Sequence, residues 1–371
     1  MISTRRSFLL SALALSLAPR AFAGSGSNAP NKTAQPVIHQ TDLYRPHCDP
    51  DDHFDLAAVY ALFKLDEIDL RGVVLDCPTG AIKGAPDVAA IAQLNRMTRK
   101  AAPAVVGSAT LPAARGDKAP NLEPEDSAAI EFIIETLEKS DSPVRISIVG
   151  SASDVAIASA RRPDLFREKC AGVYLDAGSA FPNPNNPDEL EYNVALNPHG
   201  YATLFDLPCP LYWFPCWHDA VFKPGEYGSY YRMKQEQGLE GISDALAGYF
   251  AYMFKASDDA DWLAALRRPE PEYWSKILAG ERAMWSTASL LMLADKTVTR
   301  AGEIVDRTPE FESGPDALYR MENVDVSCDE RGKTSWRRAD GETNRKILRI
   351  LDADAYPVAM GKALNSLLRT L

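Results

Sequence analysis

The chain has 371 residues, of which 46% are hydrophobic and 25% charged, with a formal net charge of −11 at pH 7. This is ordinary globular composition, enough for one large α/β domain or two smaller ones. The acidic balance argues against a nucleic-acid or anionic-membrane partner and leaves neutral or cationic small ligands open.

The segment Ser3-Thr4-Arg5-Arg6-Ser7-Phe8-Leu9 is a twin-arginine pattern. An apolar run from Leu9 to Leu17 and a small-x-small cleavage site, Ala21-Phe22-Ala23, follow it. The run is too short to cross a bilayer as a helix. Residues 1–23 are therefore expected to be a signal peptide that sends the protein to the periplasm or beyond. The route is the twin-arginine one, after folding, or an ordinary secretory one with two incidental arginines. Residues 24–35, rich in Ser, Asn, Gly and Pro, read as a flexible linker, and 36–371 as a single domain. The six cysteines, Cys48, Cys77, Cys170, Cys209, Cys216 and Cys328, fit no zinc or redox spacing and are expected mostly as buried small hydrophobes.

Pro36-Val37-Ile38 has strand character. After it come Asp42, Asp49, Asp51, Asp52 and Asp55, and the apolar run Leu56–Phe63 follows at once. The acids thus sit where a strand ends, a loop turns and a helix starts. A helix N-terminus favours Asp51 and Asp52, and open α/β sheets bind ligands at the carboxyl ends of their strands. Carboxylates this close stay ionised together only beside a cation or a hydrogen-bond network. Hard oxygen donors favour Ca²⁺ or Mg²⁺. The alternatives are an acidic, well-capped helix start on the surface, or a transition-metal site using His47 and His53.

Strands and helices then alternate. Strands are expected at 69–75, 103–106, 144–149, 172–175 and 211–214. Helices are expected at 87–97, around Ile130, Ile133, Ile134 and Leu137, and at 153–160. This order predicts an α/β fold with a central, mostly parallel sheet flanked by helices. The stretch 224–271 carries Tyr227, Tyr230, Tyr231, Tyr249, Phe250, Tyr252, Phe254 and Trp262 in helical-looking text; it is either a cap over the site or peripheral core. A helix is expected over 284–295. Short strands near 304–305, 321–326, 334–336 and 347–351 give a short antiparallel C-terminal element. A final helix over 354–371 is expected to turn Val358, Leu364, Leu367 and Leu368 inward.

The acidic loop resembles the signature of the nucleoside hydrolases of the inosine-uridine-preferring type, Asp-x-Asp-x-Gly-x-Asp-Asp. Thr41-Asp42 matches the second motif Asp with its preceding residue, and Asp51-Asp52 the terminal pair, with inserted residues between them. Further matches follow in order. Pro103–Ser108 resembles the family's strand ending in a Gly-containing loop. Val149–Asp154 resembles its Gly-Pro-Leu-Thr-Asn turn, with Ser153 in the Thr place. Glu191-Tyr192-Asn193 with Asn197-Pro198 resembles Glu-Phe-Asn and Asp-Pro, and 331–334 with 344–354 the C-terminal hairpin and helix.

The resemblance implies hydrolysis of a ribonucleoside N-glycosidic bond through an oxocarbenium-like transition state, with Ca²⁺ as cofactor. It implies Asp42 as general base and calcium ligand, with Asp52 and the carbonyl at Ser153 also on calcium. It implies Asp51, Asn185, Glu191 and Asn193 on the ribose. The sequence departs from the pattern at Gln40, at Thr79 and at Trp285-Ser286, which replaces a late His-Asp pair. Trp285 either stacks on a leaving base or belongs to the core. His218 either replaces the missing acid or is structural. The implied partner is a small-molecule nucleoside or other glycoside, with no nucleic acid and, after signal removal, no membrane. Family members often form homo-oligomers. The competing readings are a non-catalytic sugar- or nucleoside-binding protein of the same fold, and a hydrolase of another glycoside.

Overall fold

The computed structural model describes residues 34–45, 50–76 and 85–371. The expected signal peptide, nearly all of the expected linker, and His47, Asp49 and Thr79 lie outside them. Gln35, expected as the last linker residue, already opens a strand.

The central sheet has nine strands. In chain order they are β1 (Gln35–Thr41), β2 (Ile68–Leu75), β3 (Ala104–Val106), β4 (Val144–Ile148), β5 (Cys170–Asp176), β6 (Leu211–Phe214), β7 (Tyr319–Cys328), β8 (Thr334–Arg338) and β9 (Arg345–Ile350). Their spatial order is β8-β7-β9-β6-β5-β4-β1-β2-β3. All pairings from β9 to β3 are parallel, while β7 is antiparallel to both β9 and β8. The chain runs from β1 outward to β2 and β3, then returns to β4 on the other side of β1. The carboxyl ends of β1 and β4 are therefore a topological switch point, where open sheets form ligand crevices.

Side chains alternate across the sheet as strand geometry requires. Val37, Leu70, Val73, Tyr174 and Phe214 join one core; Ile38, Val74, Ile146, Val173 and Trp213 join the other. The first core is covered by α1 (Asp51–Lys64) and α2 (Val88–Thr98), and the second by α3 (Ala128–Lys139) and α4 (Ser153–Arg161). Also on the first side are α5 (Asp244–Phe254), α6 (Thr287–Leu293) and α7 (Tyr356–Leu368). Helix α1 is buried from Asp51 to Leu62, which suits its nearly unbroken apolar run. No helix of the described residues is long and apolar enough to cross a membrane.

One open alternative is decided and two expectations need correction. The aromatic stretch is core rather than cap: Tyr231, Tyr249 and Phe250 are buried, and Phe250 packs on Phe54 of α1 with ring centroids 4.3 Å apart. The helix expected from Met284 starts later. Glu281–Met284 is a strand paired antiparallel with Tyr231–Lys234, and α6 begins at Thr287. That partner strand is remote in sequence, so local periodicity carries no sign of it. Finally, Val358 is 62% exposed, whereas Leu364, Leu367 and Leu368 are buried. It stands two residues from buried Met360, about 200° around the helix.

His39 is fully buried in β1, its Nδ1 3.2 Å from Ser147 Oγ, and burial pushes its pKa down to about 3. The unfolded chain binds a proton at this imidazole below about 6.5, but the folded chain does not until about 3. Neutral burial of His39 thus costs stability progressively as pH falls from 6.5 towards 3. Urea titrations of wild type and His39→Gln at pH 7 and pH 4.5 should show any wild-type advantage shrinking at the lower pH. An unchanged difference would contradict the assignment.

Candidate active site

The site is built where β1, β2 and β4 end. The backbone N–H of Asp76 donates to Thr41 O at 2.9 Å, and that of Val149 to Gln40 O at 3.0 Å, which ties the three strand ends together. Gln40 Nε2 donates to Asp76 Oδ1 and, at 2.6 Å, to Ser151 O. Gly150 is packed so closely that a Cβ there would lie 2.8 Å from Asp42 N and 2.5 Å from Asp76 Oδ2.

A cavity of about 260 Å³ opens beside this junction. Its lining includes four acids, Asp51 and Asp52 from the first turn of α1, Asp176 from the end of β5, and Glu191. It also includes the apolar side chains of Trp217, Val221, Phe222 and Trp285. Trp285 is packed beside Phe222 and Tyr230, with centroids 6.0 and 5.6 Å away. Asn193 lines the cavity too, and its Nδ2 donates to Asp176 O at 3.2 Å.

The acids are held in different ways. Glu191 precedes the short helix Tyr192–Leu196 and accepts from Gly178 N at 2.7 Å, Asn193 N at 3.1 Å and Val194 N at 3.4 Å. Three N–H donors fix its carboxylate and favour the charged form. Asp176 has the opposite environment. Burial, with Asp55 and Glu191 nearby, pushes its pKa well above the carboxylate range, against the bond from Ser289. Asp76 is raised in the same way by burial and by Asp154 and Asp42. Burial pushes Asp154 up to about 7, although Ser108 N donates to it at 2.9 Å.

The expected residues divide. Asp51, Asp52, Glu191, Asn193 and Trp285 share the cavity wall. Asp42 is 2% exposed and sits against Gly150, next in the chain to the lining residue Val149. Ser153 is behind the wall at the start of α4; its Oγ is 3.0 Å from Ser151 Oγ and accepts from Asn197 Nδ2 at 2.8 Å. Asn185 is in an exposed loop, its N–H on Asn183 Oδ1 at 3.0 Å, and it does not line the cavity. His218 also lies outside the lining. Its Nδ1 accepts from Tyr227 N at 3.3 Å, its ring packs 5.0 Å from Phe181, and burial lowers its pKa. His53 Nε2 is 3.3 Å from Asp87 Oδ2.

Sequence reasoning missed Asp176, Phe222 and Trp217. For Asp176 a signal existed: a lone acid closing an apolar strand in an α/β chain points at the ligand crevice.

The sequence profile of the inosine-uridine preferring nucleoside hydrolases matches residues 47–357. The chain belongs to that family. Among solved structures, this nucleoside hydrolase chain is similar to a plant nucleoside hydrolase at 17% identity and a TM-score of 0.53. The match covers 90% of this chain and 99% of the plant one. It is similar to an inosine-guanosine nucleoside hydrolase at 13% identity and a TM-score of 0.54, over 89% of this chain and 98% of the other. At these identities the likeness shows the fold. No curated protein matches significantly.

The nucleoside hydrolase site suits a hard cation in donor chemistry, since its lining offers carboxylate oxygens. It is not a preassembled cage: among the described residues no three His, Cys, Asp or Glu side chains are grouped to hold a metal ion.

Gly150 has no room for a side chain between Asp42 and Asp76. Gly150→Ala should therefore destabilise the protein by about 1–3 kcal/mol, as overpacking does, read as a lower midpoint in thermal or urea unfolding. A wild-type midpoint would mean that the β1–β4 junction relaxes freely.

Proposed function

We propose that the protein is an exported enzyme that hydrolyses the N-glycosidic bond of ribonucleosides. The observation that carries this reading is one cavity lined by both carboxylates and aromatic rings, in a chain of this family. The sugar develops positive charge as the bond to the base breaks. Fixed carboxylates at Asp51, Asp52 and Glu191 stabilise that charge where it forms, and accept hydrogen bonds from sugar hydroxyls. Asn193, anchored through Nδ2 to Asp176 O, keeps its carbonyl oxygen for the same purpose. Trp285 and Phe222 offer a flat apolar surface for the departing base. Asp42 takes the proton of the attacking water as general base.

Ca²⁺ is the proposed cofactor, with Asp42, Asp52 and the main-chain carbonyl at Ser153 as its holders. When bound, it would bind and acidify the water. The export assignment is supported by the arginine pair and cleavage site within residues 1–23.

Two measurements test this reading. Ribose release from inosine and uridine by wild type and Asp42→Asn should show turnover by the first and a loss of about 10²–10⁴-fold in the second, with folding retained. Equal loss of stability and activity would mean that Asp42 is structural. Added Ca²⁺ should raise the melting temperature of chelator-treated protein, because a ligand of the native state stabilises it. No shift across millimolar Ca²⁺ would remove calcium from the proposal. Calcium binding without ribose release would leave a binding protein or a hydrolase of another glycoside.

A further inference from the structure

Asp176 ends β5, is 1% exposed and lines the cavity together with Trp285 and Phe222. Its Oδ2 contacts Ser289 Oγ, which also bonds Ser286 O at 2.7 Å. A serine hydroxyl has one proton. With two acceptors in reach, that proton is divided between Asp176 Oδ2 and Ser286 O, so the carboxyl receives only part of one hydrogen bond from Ser289. Its other oxygen, Oδ1, is buried with no hydrogen-bond partner, a costly position for an anion.

The ionisable groups that act on Asp176 are Asp55 of α1, Glu191 after β5 and Tyr356 of α7, while Asp51 and Asp52 of α1 and Cys216 after β6 line the same cavity. Among the described residues lining the cavity there is no His, Lys or Arg. A base leaving as its anion needs a proton, and besides Tyr192 and Cys216 the ionisable groups of the lining that can supply one are carboxyl groups. Glu191 is the poorer donor, because its oxygens already accept three backbone N–H bonds.

We infer that Asp176 is the general acid of this cavity, giving its carboxyl proton to the departing base nitrogen. The inference rests on the nucleoside-hydrolase reading above. In the step, the C1′–N bond breaks and its electron pair stays on the base. That nitrogen takes the proton of Asp176, water adds to C1′, and Asp42 accepts the water proton. Solvent later returns a proton to Asp176 and removes one from Asp42. Burial and like charges, which push the Asp176 carboxyl well above the usual carboxylate range, agree with this role.

The experiment compares two leaving groups. Inosine and uridine need a proton on the leaving base, whereas 4-nitrophenyl riboside releases a stable phenolate without one. Asp176→Asn should lower kcat on the nucleosides by about 10²–10⁴-fold and leave nitrophenyl riboside turnover within a few fold of wild type. Equal loss on both substrates would overturn the assignment and place Asp176 on the sugar or a cation. No loss on either would overturn it as well. If Asp176→Asn fails to fold, Ser289→Ala carries the test. Removing that hydroxyl should move the alkaline limb of kcat/KM upward for nucleosides only, and an unmoved limb would count against the role. A wild type that releases neither ribose nor nitrophenolate would sink the nucleoside-hydrolase reading itself. A wild type active on both with an unselective Asp176→Asn would sink only this inference.

Discussion

Carboxyl groups taken out of water beside one another are costly unless each finds a donor, a proton or a cation. Here Asp42, Asp51, Asp52, Asp55, Asp76, Asp154, Asp176 and Glu191 are all less than a tenth exposed. Much of the local architecture can be understood as the means of holding them. Asp51 and Asp52 occupy the positive end of α1. Glu191 is wrapped by three backbone N–H groups, and Asp154 takes one from Ser108. Gln40, on β1, bridges Asp76 after β2 to Ser151 after β4. The loops at the strand ends are fixed by these bonds, and the cavity keeps its shape because the loops are fixed.

The same bonds sort the acids into two kinds. Where N–H donors converge, as at Glu191, the charged form is favoured. Where burial and like charges dominate, as at Asp176, the neutral form is. Acid–base chemistry at neutral pH needs both kinds within one cavity. Trp217, Phe222 and Trp285 in the same lining contribute apolar surface without adding charge.

The strand–helix alternation of 36–214 was legible because apolar periodicity is local. The end of β6 at Phe214 and the helix start at Ser153 are where the pattern puts them. Asp51, Asp52, Glu191 and Asn193 were legible as short motifs, since each pair lies within one helical turn. The antiparallel pairing of Tyr231–Lys234 with Glu281–Met284 was not legible. Its strands are short, remote from each other, and set in text rich in helix formers. Asp176 was passed over because its neighbours in sequence are ordinary; its company of Asp55, Glu191 and Ser289 arises only when strands and helices are stacked.

The sequence by itself determined the α/β class, the acid-rich entrance to α1 and the family to which the chain belongs. These depend on spacing along the chain, which folding leaves unchanged. The tertiary structure alone decided which acids share a cavity and which stand behind it, that Asn185 and His218 lie outside its wall, and that Trp285 lies in it. It also decided which carboxyl groups burial and like charges push above the usual carboxylate range. Those properties depend on burial and on the approach of groups far apart in sequence, which arise from how the sheet is ordered and how its strand ends meet.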